Sequence, residues 1–182
     1  MSKKPLIIST DPGIDDIAAM TISLFADELD VKMIVPTWGN VSLAHTLQNT
    51  LDLENFLHTK VPVVKGANQP LVRPAISAAS VHGETGIAGF EFEKASDELL
   101  EPGLAATKMY EAIKNSPEKV TLLGVGPLTD FALLFKQYPD VVENIAEVYI
   151  MGGNIGHGNH SPFAEYNIAG DPEAAQIVFH SG

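Results

Sequence analysis

The sequence predicts a doubly wound α/β protein, with a mainly parallel sheet and helices on both faces. Three observations lead there. Short, near-continuous apolar runs alternate with segments whose apolar residues recur at helical spacing. The runs lack the polar alternation of strands with one wet face, which marks them as buried on both sides. Each run also ends in a cluster of Gly, Pro, Asn or Asp, the residues that turn a chain from strand into helix.

The elements follow in order. Leu6-Ile-Ile-Ser-Thr10 is the first strand, and Asp11-Pro12-Gly13 ends it. Ile14, Ile17, Ala18, Thr21, Ile22 and Phe25 then give the first helix. Val31 to Thr37 is a second strand, followed by Trp38-Gly39-Asn40 and a helix from Ser42 to Leu57. A third strand covers Val61 to Lys65. The stretch 66–102 carries glycines, prolines and polar residues without a sustained period, and is expected to be a functional loop, a candidate lid. A helix over Gly103–Lys114, a strand over Val120–Val125, a helix over Leu128–Tyr138, a strand over Ala146–Met151 and a last helix over Pro172–His180 complete the series. No repeat or linker interrupts it, so residues 1–182 are expected to form a single domain.

Composition narrows the function. Among 182 residues, 23 are Asp or Glu and 11 are Lys or Arg, a net charge of −12. A nucleic-acid partner needs a basic stripe, and an anionic membrane surface repels this balance, so neither is expected as a partner. The absence of cysteine excludes disulfides, thiolate metal sites and cysteine nucleophiles. Leu6-Ile-Ile is too short for a signal core or a membrane span, so a cytoplasmic location is expected.

In a doubly wound sheet, ligands collect at the carboxyl ends of the strands. The clusters Asp11-Pro-Gly-Ile-Asp15-Asp16, Trp38-Gly39-Asn40, Gly126-Pro-Leu-Thr129 and Met151-Gly-Gly-Asn154 all fall on that edge. Asp11 before Pro12, with acids in the next turn, also reads as an ordinary helix start. Three carboxylates within six residues repel one another at a buried edge, which raises their pKa values unless a cation offsets them. An oxygen-only donor set without Cys suits Ca²⁺ or Mg²⁺ rather than Zn²⁺. His157 and His160 flank Gly158-Asn159 and read as solvated loop residues; His82 reads as a surface residue of the lid. Glu165 and Asn167, two apart, face the same way if Ala164–Ile168 is extended. Asp171-Pro172-Glu173 reads as a structural helix start. No phosphate-loop glycine pattern is present.

The series Thr10-Asp-Pro-Gly-Ile-Asp-Asp16, Gly39-Asn40, Val81-His-Gly83, Gly126-Pro-Leu-Thr129, Met151-Gly-Gly153 and Ala164-Glu-Tyr-Asn167 resembles the inosine–uridine preferring nucleoside hydrolases. The match runs in order along the whole chain. The resemblance implies hydrolysis of the N-glycosidic bond of ribonucleosides, with a tightly held Ca²⁺. It implies that Asp11, Asp16 and the Val125 carbonyl bind calcium, and that Asp15 is the general base toward the water that calcium holds. It further implies that Asn40, Asn159, Glu165 and Asn167 hold ribose hydroxyls, that Met151 lines the sugar pocket and that His82 lies near the base. A homo-oligomer is expected.

Members of this family continue beyond the point matching Gly182 and there supply a further calcium-binding aspartate and a histidine near the leaving base. The expectation is therefore a C-terminally truncated hydrolase core with little turnover of its own and a tendency to self-associate. Two other readings stand beside it. One is a Mg²⁺-dependent phosphohydrolase, although the chain lacks that chemistry's Asp-x-Asp nucleophile pattern and phosphate-binding loop Lys. The other is a noncatalytic product that binds nucleosides or calcium.

Overall fold

The computed structural model describes residues 3–182. Its centre is a six-stranded sheet in the order β4-β3-β2-β1-β5-β6, with every neighbouring pair parallel. The strands are β1 (Lys4–Thr10), β2 (Leu29–Pro36), β3 (Val63–Val64), β4 (Leu100–Glu101), β5 (Val120–Gly124) and β6 (Ile145–Ile150). The chain moves outward from β1 to β4, then returns across the sheet to β5 on the far side of β1. The strand order therefore reverses between β1 and β5, and such a reversal opens a crevice at the strands' carboxyl ends.

Among the described residues seven helices connect and cover the sheet: α1 (Ile14–Phe25), α2 (Leu43–Leu57), α3 (Ala79–His82), α4 (Ala105–Lys114), α5 (Thr129–Gln137), α6 (Tyr166–Gly170) and α7 (Pro172–Phe179). Met20 of α1 and Leu53 of α2 pack on Ile34 against one face. Met109 and Ile113 of α4, Phe131 and Leu134 of α5 and Ala174 and Val178 of α7 pack with Ile7, Val35 and Leu122 on the other. This is the doubly wound, helix-covered sheet that the apolar runs predict. β1 shows why those runs are continuous: from Pro5 to Thr10 every residue is buried. β6, at the open edge, is exposed over Ala146–Tyr149. No helix among the described residues is long and apolar enough to cross a membrane.

The structure corrects several local readings. The stretch 66–102 is not a featureless lid. It contains α3, a 3-10 turn at Asp97–Leu99 and β4, which pairs with β3. It is also stitched to the core. Ala67 N donates to both oxygens of Asp130 (3.0 and 3.1 Å), Leu71 N to Asp171 (2.9 Å), Ala78 N to the Asn40 carbonyl (2.9 Å) and Ala95 N to Asp52 (2.7 Å). Phe90 and Phe92 stack edge-on with Phe56 of α2. α1 begins at Ile14, capped at Gly13, so Asp11 is not its cap. Ala164–Ile168 is not extended: Glu165 caps α6, and Asn167 lies in its first turn. The last helix ends at Phe179 with His180 at its cap, ahead of Gly182. Asp171 starts α7 as read, accepting from Ala174 N at 3.0 Å, with Pro172 first in the helix.

Candidate functional site

Asp11 directly follows β1, and its carboxylate is gripped on both sides by turns from neighbouring strands. Asn40 N, after β2, donates to Asp11 Oδ2 at 2.7 Å. Asp11 Oδ1 is buried and has no hydrogen-bond partner among the described residues. Gly39 and Gly126 face the two oxygens so closely that a Cβ on either would overlap the carboxylate. These two glycines, after β2 and β5, are the reason a carboxylate fits at this point of the crevice. Burial, and next the Asp16 charge, holds Asp11 well above the usual carboxylate range.

Asp16 sits in the first turn of α1, where it accepts from Gly13 N at 3.0 Å and from Thr10 Oγ1 at 2.8 Å. The Asn40 side chain donates to the Asp11 carbonyl at 3.0 Å and to Asp16 Oδ2 at 3.2 Å. Burial pushes Asp16 up to about 6, against the lowering by its Gly13 and Thr10 donors. Asp15 is exposed at the cleft mouth beside it.

α6 joins the remaining turns. Glu165 accepts from Asn167 N (2.9 Å) and Ile168 N (3.1 Å) as the cap, and from Gly153 N (3.1 Å) in the loop after β6. Asn167 Nδ2 donates to the carbonyls of Val125 (2.9 Å) and Met151 (3.0 Å), bridging the turns after β5 and β6. The Tyr166 hydroxyl donates to the Gly39 carbonyl at 3.0 Å, and Tyr166 N donates to Asn159 Oδ1 at 2.8 Å. Burial, and next the Asp11 charge, pushes the Tyr166 phenol up, which keeps it a neutral donor.

These turns enclose a cleft of about 240 Å³ lined by Asp15, Asp16, Asn40, His82, Val125, Met151, Asn159, Glu165 and Asn167, together with Ala78, Val81 and Tyr166. Every site residue expected from the sequence lines it except Asp11, which lies buried behind Asn40 and Gly126. His82 stands over the start of α1, so close that a Cβ on Gly13 would lie 2.7 Å from its Nδ1. His157 lies outside the lining, and His160 packs edge-on against Tyr166. Tyr166 was not legible as a site residue, because its role depends on reaching Gly39, 127 residues away.

The donor set fits a hard cation. Among the described residues no three His, Cys, Asp or Glu side chains come together as a metal cluster. The crevice instead offers two buried carboxylates, one with an orphaned oxygen, and the Val125 carbonyl, which keeps a second lone pair beyond its Asn167 bond. An uncompensated buried carboxylate pair is costly, and an oxygen-ligated divalent ion is the usual remedy.

The fold and site define an α/β protein with an acidic crevice at the topological switch of a parallel sheet. The sequence pattern of the inosine–uridine preferring nucleoside hydrolases matches residues 6–182, and the chain belongs to that family. It is similar to the non-specific ribonucleoside hydrolases RihC of Klebsiella pneumoniae, 50% identical over 179 residues, and of Escherichia fergusonii, 46% identical. Each match covers 98% of this chain and 58% of the relative, so the chain spans little more than half the length of these proteins. Among solved structures it resembles a purine-preferring ribonucleoside hydrolase from Gardnerella vaginalis, with a TM-score of 0.92 at 30% identity, covering 98% of this chain and 58% of the other. It also resembles a plant nucleoside hydrolase, with a TM-score of 0.90 at 32% identity, covering 98% and 57%.

Proposed function

We propose that this crevice hydrolyses the N-glycosidic bond of ribonucleosides to ribose and free base. The observation that carries the reading is Asp11: a buried carboxylate with one oxygen unpartnered among the described residues, set behind a cleft that combines carboxylates and amides with apolar and aromatic walls. Asp11, Asp16 and the Val125 carbonyl would hold Ca²⁺, which when bound would align ribose hydroxyls and make the attacking water more acidic.

The residues of this chain do the rest. Asp15, exposed at the mouth, takes the proton from the attacking water as the water oxygen bonds to the anomeric carbon. The carbon–nitrogen bond breaks, and the base leaves with the electron pair. Positive charge develops on the sugar ring and is stabilised by Glu165 and the Asp pair. Asn40, Asn159 and Asn167 fix the hydroxyls, Met151 packs against the sugar, and His82 lies on the base side. Among the described residues no Lys or Arg lines the cleft, which suits a neutral nucleoside and disfavours a phosphorylated one.

The test is ribose release from uridine and inosine, with Ca²⁺, by the chain and by Asp15→Asn. Release that depends on Asp15 supports the reading. Equal release by the variant removes Asp15 from the mechanism, and turnover of nucleotides in preference to nucleosides points to phosphoryl chemistry instead.

A further inference from the structure

Asn49 lies on α2, outside the cleft lining, and is 8% exposed. Its single Nδ2 donates to two carbonyls in different walls of the site: Pro12, inside the acid-bearing turn, at 3.2 Å, and Thr85, three residues past His82, at 2.8 Å. A primary amide has two N–H groups, so each carbonyl takes one. Gly86, with φ of +89°, completes the joint. The place of its missing Cβ is bounded by Val41 Cγ2 (3.0 Å), Asn49 Nδ2 (3.1 Å) and the Pro12 carbonyl (3.1 Å). The segment after His82 therefore lies directly on the turn that carries Asp11.

What holds His82 in place has to come from outside its own helix, because α3 has no buried residue. Its near end is tied by Ala78 N to the Asn40 carbonyl at 2.9 Å. Its far end is tied through Ala88 N to the His82 carbonyl (3.0 Å) and Gly86 N to the Gly83 carbonyl (3.1 Å), a small turn whose bond to the core is Thr85 to Asn49.

We infer that Asn49 is a positioning residue of the site: its amide staples the His82 segment to the Asp11–Gly13 turn and so sets the width of the cleft on the side of the base. The inference rests on the nucleoside reading for its kinetic consequence and on geometry alone for the staple itself.

The experiment compares the wild type, Asn49→Ala, Gly86→Ala and the double variant by amide hydrogen exchange and by nucleoside kinetics. Gly86→Ala attacks the same joint from the other side, adding a methyl at a buried glycine and removing no side chain. Each single variant is expected to speed exchange across residues 79–88 by about tenfold, the loss of one or two net hydrogen bonds, with β1 and β5 unchanged. The double variant is expected to go no further than the singles, since both break one contact. The KM for nucleoside rises by about tenfold and kcat stays within about twofold, because Asp11 and Asp16 keep their own bonds to Asn40, Gly13 and Thr10 while the base side is loosened. Unchanged exchange over 79–88 in both singles overturns the inference. So does a loss of protection throughout β1 and β5 in Asn49→Ala with Gly86→Ala silent, which would make Asn49 a core residue only. Failure of the nucleoside reading looks different: the wild type then neither binds nor cleaves nucleosides, while the exchange rates still decide the staple.

Discussion

Asn40 holds Asp11 twice, its backbone amide donating to Oδ2 at 2.7 Å and its side-chain amide to the Asp11 carbonyl at 3.0 Å. The turn after β2 thus orients the first residue of the turn after β1 so that one carboxylate oxygen is satisfied and the other is left bare. Neighbouring parallel strands end level with each other, which is why residues 29 apart in sequence make this contact.

Gly126 is expected to be indispensable to that arrangement. In Gly126→Ala the new methyl overlaps Asp11 Oδ1 and lies 3.2 Å from Asp11 N, with no flexible neighbour to yield. Overpacking of this kind typically costs about 1–3 kcal/mol. Urea unfolding should show a loss of that size, and a midpoint equal to the wild type would mean that the turn after β5 adapts freely.

A buried relay supports the Trp38 turn from below. Trp38 Nε1 donates to Thr129 Oγ1 at 3.0 Å, and Thr129 donates to Asp171 Oδ2 at 2.8 Å. Thr129→Val keeps the shape but leaves the indole N–H unpaired and removes one donor from Asp171. A loss of about 1–3 kcal/mol is expected in thermal or urea unfolding, together with altered fluorescence of Trp38, the single tryptophan. Wild-type stability in Thr129→Val would show that water or a rotated side chain replaces the relay.

Asp130 supplies a pH signature remote from the acid pair. Burial raises it from 3.8 to about 6 despite its Ala67 donor. A raised folded value means that the folded state binds the proton more tightly. The stabilisation is fully present below about 3.8 and is lost as pH rises through about 6. Asp130→Asn keeps an acceptor for Ala67 and has no charge to bury. Relative to the wild type it should gain roughly 1–3 kcal/mol between pH 4 and pH 7.5. Unfolding curves for the two proteins that stay parallel across this range would contradict the assignment.

Tyr166→Phe isolates the bond between α6 and the turn after β2. The ring stays, and the Gly39 carbonyl loses its 3.0 Å donor. A destabilisation of about 1 kcal/mol is expected. Under the ribose-binding roles proposed for Asn40 and Glu165, ribose affinity should fall by several-fold, since the two are no longer held in register; unchanged affinity would leave Tyr166 a wall residue only.

Much of this was legible in the sequence because strand ends and turn residues coincide. Asp11-Pro12-Gly13, Gly39-Asn40, Gly126 and Met151-Gly152 each interrupt an apolar run, and in a doubly wound sheet such interruptions converge. The parts that were not legible are those made by long-range contact. β4 is two residues, Leu100 and Glu101, that become a strand only by pairing with Val63 and Val64. α6 is five residues long and is capped by Glu165, a residue outside the usual capping set, so no start signal marks it. Asn49 sits on the buried side of α2, where a helical pattern favours an apolar residue; that polar misfit was the available signal for its bonds to Pro12 and Thr85.

Calcium titration of the chain by calorimetry, set beside Asp11→Asn, bears most directly on the claim that the buried acid pair is a cation site for nucleoside hydrolysis. The wild type is expected to bind one Ca²⁺, and Asp11→Asn, with its amide facing the same two glycines, to lose at least about tenfold in affinity. Equal binding by both proteins, or no binding by the wild type, would contradict it.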